Sequence, residues 1–281
     1  MSRIEKALEK AVQLRGTESE GGADEQAPVS KPAFKRERVV PLRELTVDSP
    51  YIITITEPAS PIAEEYRKLK SLIVKQTKLG GFQNTIMVTS SLGWEGKSIT
   101  ALNLAVTLSQ EYDHTVLLVD ADLRKPSLHG YFKLMPEIGL ADCLLDEAAL
   151  GDALIQTGIG KLALLPAGKR VKDPVELLSS QKMNDLITEM KHRYSDRYII
   201  IDTPPILPFA ETHAISCMAD GVVFVVKEGL ATLQNINDAL EILKESRMLG
   251  IVYNDAGALD LVNHYYAGHY YGSRATAKDG K

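Results

Sequence analysis

Gly93, Gly96, Lys97 and Ser98 stand together in the stretch Ser90-Ser91-Leu92-Gly93-Trp94-Glu95-Gly96-Lys97-Ser98. It follows the apolar run Ile86-Met87-Val88 and precedes a helical pattern. Glycines in such a turn let backbone N–H groups approach a phosphate at a helix N-terminus, where the helix dipole also favours negative charge. The segment Gly93, Trp94, Glu95, Gly96, Lys97, Ser98 and Ile99 is therefore the expected nucleotide cradle. Lys97 is placed for the β- and γ-phosphates and the Ser98 hydroxyl for Mg²⁺. The general pattern asks for glycine at position 91, where this chain has Ser91, so the loop is a variant.

Two acidic stretches follow. Leu117-Leu118-Val119-Asp120-Ala121-Asp122-Leu123-Arg124 puts two carboxylates at the end of an apolar strand. Residues two apart in an extended segment share a side, and the C-terminal end of a strand is where α/β sheets bind ligands. Ile199-Ile200-Ile201-Asp202-Thr203-Pro204-Pro205 ends a second apolar strand on a carboxylate. A buried, unpaired carboxylate is costly, so a metal or a hydrogen-bonded water is its natural compensation. Ser98, Asp120, Asp122 and Asp202 are thus the expected Mg²⁺ set, and Lys97, Asp120, Asp122 and Asp202 the expected catalytic set. Tyr265, Tyr266, Tyr270 and Tyr271 crowd four of the eleven tyrosines into seven residues near the C-terminal end. A phosphate cradle, metal-holding carboxylates and a block of hydroxyl acceptors suggest an ATP-dependent enzyme that phosphorylates itself.

The elements that must position these residues alternate. Short β-branched runs at 85–89, 115–119, 162–165, 198–202, 221–227 and 250–254 are separated by helical patterns at 97–111, 174–192, 208–218 and 231–246. Near-continuous Ile/Val/Leu strands between helices predict an α/β fold: a mostly parallel sheet with helices on both faces, of the P-loop NTPase type. Residues 51–260 are expected to form one domain, preceded by a helix and linker at 1–50 and followed by a mobile tyrosine-rich tail at 261–281. Residues 2–15 read as an amphipathic helix with Ser2 and Glu5 as a capping box, either solvated or docking on a partner; 16–34 have linker composition. Lys35, Arg36, Arg38 and Arg43 form a basic cluster, either simply solvated or able to touch anionic lipid.

Composition narrows the setting. A net charge of −5 gives no reason to expect nucleic-acid binding. Cys143 and Cys217 sit among apolar residues and read as small core side chains, while His114, His129, His192 and His213 lack metal-ligand spacing and read as surface or loop residues. His264 and His269 read as tail composition rather than a metal site. No apolar run approaches the ~20 residues of a membrane span, and the start lacks the apolar core of a secretory signal. The expectation is a cytoplasmic protein whose membrane association is borrowed from a partner.

Together these motifs resemble the bacterial tyrosine kinases of polysaccharide export, the BY-kinases. Ser90 to Ser98 is similar to their variant phosphate loop, followed by an Asn-Leu-Ala at Asn103 to Ala105. Leu117 to Arg124 resembles their second Walker motif, Ile199 to Asp202 their Walker B, and the four tail tyrosines their phosphorylated cluster. Glu64, Arg67 and Lys70 resemble the Glu-x-x-Arg-x-x-Arg oligomerisation motif, with Lys70 in place of the last arginine. By their charge spacing alone these three read as an ordinary helix surface. Trp94 stands where many relatives carry glycine, which would strain a left-handed backbone there. Met1 to Ala11 resembles the opening of autokinases linked to exosortase systems.

The resemblance implies a ring-like homo-oligomer recruited to the inner face of the membrane. A transmembrane polysaccharide chain-length regulator would be its activator, and a cognate tyrosine phosphatase would oppose it. It also implies that Asp120 helps deprotonate the acceptor tyrosine and that Arg124, counted with the nucleotide-binding residues, steadies the loop or a neighbouring subunit. Asn254 reads equally as an adenine-side asparagine or as part of an Asn-Asp turn. Two other functions compete. A positioning ATPase resembling MinD and ParA would carry a lysine where this loop has Leu92. A nucleotide-binding scaffold without catalysis would have no need of intact Lys97, Ser98, Asp120, Asp122 and Asp202.

Overall fold

A computed structural model describes residues 49–78, 82–194 and 196–257. The expected N-terminal helix, linker and basic cluster lie outside these residues, as does the tyrosine block. Among the described residues, short α1 (Ile53–Thr56) leads into α2 (Pro61–Thr77), which starts where Ser60 accepts a hydrogen bond from Ala63 N (3.2 Å) and Pro61 presets the first turn. The sheet then alternates with helices: β1 (Thr85–Ser90), α3 (Lys97–Ser109), β2 (Thr115–Asp120), α4 (Leu128–Tyr131), α5 (Leu140–Leu144), α6 (Leu150–Ala153), β3 (Ile155–Gln156) and β4 (Leu162–Leu165). There follow α7 (Pro174–Leu178), α8 (Gln181–Arg193), β5 (Arg197–Asp202), α9 (Ala210–Met218), β6 (Gly221–Lys227), α10 (Leu233–Ile242) and β7 (Met248–Asn254).

The seven strands lie in the order β3-β4-β2-β5-β1-β6-β7, parallel throughout except for β3 against β4. Side chains alternate between two apolar cores. Met87, Leu117, Val119, Ile199 and Ile201 face the layer that holds α8 and α9, whereas Ile86, Val88, Leu118 and Ile200 face α3. Burial on both faces is why these strands read as continuous apolar runs rather than alternating ones.

Register places the chemistry. β2 and β5 are neighbours, and Asp120 lies directly opposite Asp202, which in turn lies opposite Val88 of β1. In-register residues of parallel strands project from the same face. Asp120 and Asp202 share parity with Leu118 and Ile200, so both point to the α3 side, where the loop after β1 arrives.

Several sequence expectations change here. The single helix expected at 174–192 is two, because Ser180 caps α8 by accepting from Met183 N (3.3 Å). The helix expected at 231–246 stops at Ile242. Cys143 is buried as expected, but Cys217 is exposed: α9 buries Glu211, Thr212, Ile215 and Ser216, and position 217 falls on the opposite side. His114 lies in the loop before β2, one of its two expected placements, but not on the surface. It is buried, stacked on Phe82 (5.8 Å between centroids) and set edge-on to Tyr198 (5.1 Å).

Candidate nucleotide and phosphoryl-transfer site

The loop after β1 is held from inside by Glu95. Its carboxylate is fully buried and accepts the Ser91 hydroxyl (2.8 Å), Leu92 N (2.6 Å) and, more loosely, Lys227 N (3.4 Å) at the end of β6. Serine at position 91, the departure from the general pattern, thus has a structural job as the partner of Glu95. The Glu95 side chain points into the protein, so only its backbone is available to a phosphate.

Trp94 takes φ +70, the left-handed conformation anticipated for a glycine position, and its side chain is 82% exposed. Gly96 takes φ +90 and opens α3, with Thr100 N donating to its carbonyl (2.9 Å). A Cβ at Gly96 would lie 2.1 Å from Asn254 Nδ2. That amide donates to the Glu95 carbonyl (2.9 Å), so Asn254 closes the end of β7 onto the phosphate loop. Ile99, in the first turn of α3, gives its carbonyl to Asn103 Nδ2 (3.0 Å), and the Asn103 amide also reaches Tyr51 O and Thr54.

Four of the expected residues converge. Lys97 Nζ lies 3.3 Å from Asp122 Oδ2 and 3.3 Å from Ser98 Oγ. Burial works against its charge, but Asp202 and Asp122 outweigh burial and raise its pKa. Asp122 Oδ1 accepts Lys125 N (2.9 Å) and so turns the chain after β2. Asp120 Oδ2 accepts Ser127 N (3.1 Å) and Leu128 N (3.0 Å), while its Oδ1 is buried with no hydrogen-bond partner. Neither oxygen of Asp202 has one either; the Ser98 hydroxyl is beside it but outside standard hydrogen-bonding geometry. Burial, reinforced by the charge of Asp202, pushes Asp120 up to about 8, and burial raises Asp202 to about 6 against the pull of Lys97.

Three unsatisfied, fully buried carboxylate oxygens beside a lysine and a serine hydroxyl fit a hydrated Mg²⁺ carried in with a nucleotide. Among the described residues no group of three or more His, Cys, Asp or Glu side chains is arranged to hold a metal by itself. Mg²⁺ commonly keeps several waters and leans on one or two carboxylates plus substrate phosphates, so the donor set suits it.

Arg124 is committed elsewhere. It forms a fork with the fully buried Glu211 of α9 (2.5 and 3.4 Å), and its guanidinium lies over the Phe209 ring at 4.7 Å. Glu95 and Glu211 are the site residues whose side-chain roles sequence reasoning missed. Nothing in the local spacing marks a glutamate that turns inward. Glu64, Arg67 and Lys70 all lie on α2 and are paired within the subunit. Arg67 meets Glu64 (2.7 Å) and the Pro58 carbonyl (3.0 Å), and Lys70 meets Glu111 beyond the end of α3 (2.6 Å).

This fold and site define a P-loop nucleotide-binding protein, and the family model described as AAA domain matches residues 83–249. Tyrosine-protein kinase YwqD of Bacillus subtilis is 37% identical over 205 residues, covering 72% of this chain and 85% of that one. The succinoglycan biosynthesis transport protein ExoP of Rhizobium meliloti is 34% identical over 207 residues, covering 72% of this chain but 26% of its own length. Among solved structures, the chimerical protein CapA2B2 is similar with a TM-score of 0.67 and 31% identity, over 72% of this chain and 88% of that one. The cell-division ATPase MinD of Pyrococcus furiosus is similar at 0.53 and 26% identity, over 62% and 73%. The chain belongs to the bacterial tyrosine-protein kinase family, the BY-kinases.

Proposed function

We propose that the chain is an ATP-dependent protein-tyrosine autokinase that phosphorylates Tyr265, Tyr266, Tyr270 and Tyr271 and regulates exopolysaccharide polymerisation or export. The observation that carries it is the Asp120–Asp202 rung, with Asp120 Oδ1 buried and unpartnered and Asp202 supporting the charge of Lys97. In this reading residues 51–260 are the kinase domain, 1–50 an extension and 261–281 the substrate tail. Backbone amides from Gly93 to Ile99 and the Lys97 ammonium hold the nucleotide phosphates, with Asn254 bracing the loop behind them. Ser98, Asp120, Asp122 and Asp202 would together hold Mg²⁺. When bound, that ion supplies charge neutralisation on the phosphates.

The acceptor Tyr Oη forms the new bond to the γ-phosphorus as the bond to the β,γ-bridging oxygen breaks and ADP leaves. The phenolic proton passes to Asp120 Oδ1. Asp120 takes this proton in its ionised form, the form favoured when the positive charges of Lys97 and a bound cation stand nearby. Arg124, held by Glu211, steadies the chain that carries Asp120 and Asp122.

The acceptor tail comes from a neighbouring protomer of a ring-like homo-oligomer assembled through Glu64, Arg67 and Lys70. Recruitment to the inner face of the membrane by a transmembrane chain-length regulator, and reversal by a tyrosine phosphatase, complete the proposal. Among the described residues no helix is long and apolar enough to cross a membrane. The positioning-ATPase reading shares the fold, but Leu92 occupies the place of its signature lysine. Incubation with labelled ATP separates the readings: an autokinase gives phosphotyrosine, a positioning ATPase gives released phosphate alone, and a scaffold gives neither. Activity should be weak for the isolated chain and rise when the regulator's cytoplasmic segment is added; full activity alone at low concentration contradicts that dependence.

A further inference from the structure

The indole of Trp94 stands out on the phosphate loop. It belongs to the chain's only tryptophan, is 82% exposed, and sits on a left-handed backbone that L side chains rarely adopt. Nothing in the core uses it. Among the described residues its ring meets Lys125, whose ammonium lies 4.5 Å from the ring centroid. Lys125 makes no ion pair among the described residues, and its backbone N–H is fixed by Asp122, the carboxylate that pairs with Lys97. Indole and ammonium therefore form one small aromatic and cationic platform joining the loop after β1 to the loop after β2, beside the transfer site.

The described chain ends close to this platform. β7 finishes at Asn254, which bonds to Glu95, the residue next to Trp94. The following residues are tied down: Asp255 pairs with Lys227 (2.9 Å) and Gly257 N donates to Glu228. Tyr265 is eight residues beyond Gly257, a reach of up to about 26 Å when extended, so the tyrosine block falls within range of this loop or a neighbour's.

We propose that Trp94 and Lys125 form the docking platform for the acceptor tyrosine, the indole stacking on the phenol ring and the ammonium facing its oxygen. The idea rests on the autokinase reading for its choice of occupant. Aromatic pairs and cation–π contacts both favour a tyrosine over an aliphatic side chain here. Trp94 and Lys125 act as positioning residues: they set where the phenol lies and leave bond-making to the buried groups. The strained backbone at position 94 is maintained because the side chain it displays is useful.

The single tryptophan gives a direct test. In the full chain with Tyr265, Tyr266, Tyr270 and Tyr271 all changed to alanine, emission is followed while a synthetic peptide copying residues 261–275 is added. A saturable change in Trp94 emission is expected, and a peptide with the four tyrosines replaced by alanine should give none. No change, or an equal change with the alanine peptide, overturns the platform. Kinetics provide the second arm. Trp94→Ala and Lys125→Ala should raise the KM for the tyrosine peptide by about tenfold, more than they raise the KM for ATP, and Trp94→Phe should restore most of the loss. A parallel rise in both KM values assigns the indole to the nucleotide loop and overturns the proposal. If the wild-type chain makes no phosphotyrosine, the autokinase reading fails, and the emission titration still decides whether the platform takes a tyrosine.

Discussion

Lys97 keeps its charge in a place where burial alone would disfavour it, because Asp202 and Asp122 surround it. Lys97→Met removes the fixed positive charge at the phosphates. Phosphotyrosine should fall by at least about 10²–10³-fold while circular dichroism stays native. Asp120 leads to a pH prediction. Its folded pKa is raised, so between the ordinary carboxylate value and about 8 the folded state holds a proton that the unfolded state has lost. Stability contributed by this group is therefore present at low pH and declines as pH rises through that window. Asp120→Asn, which keeps the shape without the charge, should melt higher than the wild-type apo protein at pH 8, with the difference shrinking towards pH 5. Its autophosphorylation should be nearly lost. If the melting difference is flat or grows towards acid, Asp120 does not carry a raised pKa; if the activity survives, the Asp120–Asp122 pair is structural.

At the level of elements, the phosphate loop is a clasp made by β1, β6 and β7: Glu95 bridges the first two and Asn254 ties in the third. Gly96→Ala would both clash with Asn254 and force alanine to φ +90. ATP binding by calorimetry should disappear. Asn254→Ala on the same background should not restore it, since the clash is relieved but the backbone strain of about 1–3 kcal/mol remains. Recovery in the double variant would mean that space alone is limiting. Asn254→Ala by itself loses one hydrogen bond and should weaken ATP binding severalfold, in line with about 1 kcal/mol.

Much of this was legible. β1, β2, β4, β5 and β6 could be found because burial on both faces makes them plain apolar runs, β7 because Ile251 and Val252 mark even a largely exposed edge, and Asp120 and Asp202 because each abruptly ends a run. β3 was invisible at two residues. The break between α7 and α8 was hidden because Ser179 and Ser180 interrupt an otherwise helical pattern by only two positions. The site's bracing carboxylates were illegible for a different reason. Whether Glu95 and Glu211 point inward depends on partners such as Lys227 and Arg124, which only the folded chain brings near. Local spacing also misplaced Cys217 and His114. An apolar neighbourhood in sequence did not bury the first, while Phe82 and Tyr198, distant in sequence, pack against the second.

For the whole molecule, assembly and tail chemistry should be coupled. Each phosphate adds roughly −1.5 to −2 charges, so a multiply phosphorylated tail is repelled by the carboxylates of the site it visits. Particle size by light scattering should therefore shrink when Mg²⁺ and ATP are added to the wild-type chain. It should stay constant when the four tail tyrosines are phenylalanine, with ATP binding intact. An unchanged wild-type particle, or equal shrinkage of the phenylalanine variant, ends the idea of a switch. Arg67→Glu should lower the starting particle size, although its exposed partner Glu64 makes the loss of intramolecular pairing worth less than about 1 kcal/mol.

The rung that sets Asp120 opposite Asp202 is formed by backbone ladder bonds between β2 and β5. Side-chain direction alternates at every residue of a strand, so slipping β2 by a single position would send Asp120 to the far face of the sheet and separate it from Lys97 and Asp202. A chain that has collapsed with its strands misaligned therefore contains every catalytic side chain and yet has no active site. Under the autokinase reading proposed above, self-modification waits until the central sheet has zipped correctly, which makes the first phosphotyrosine a certificate of completed folding.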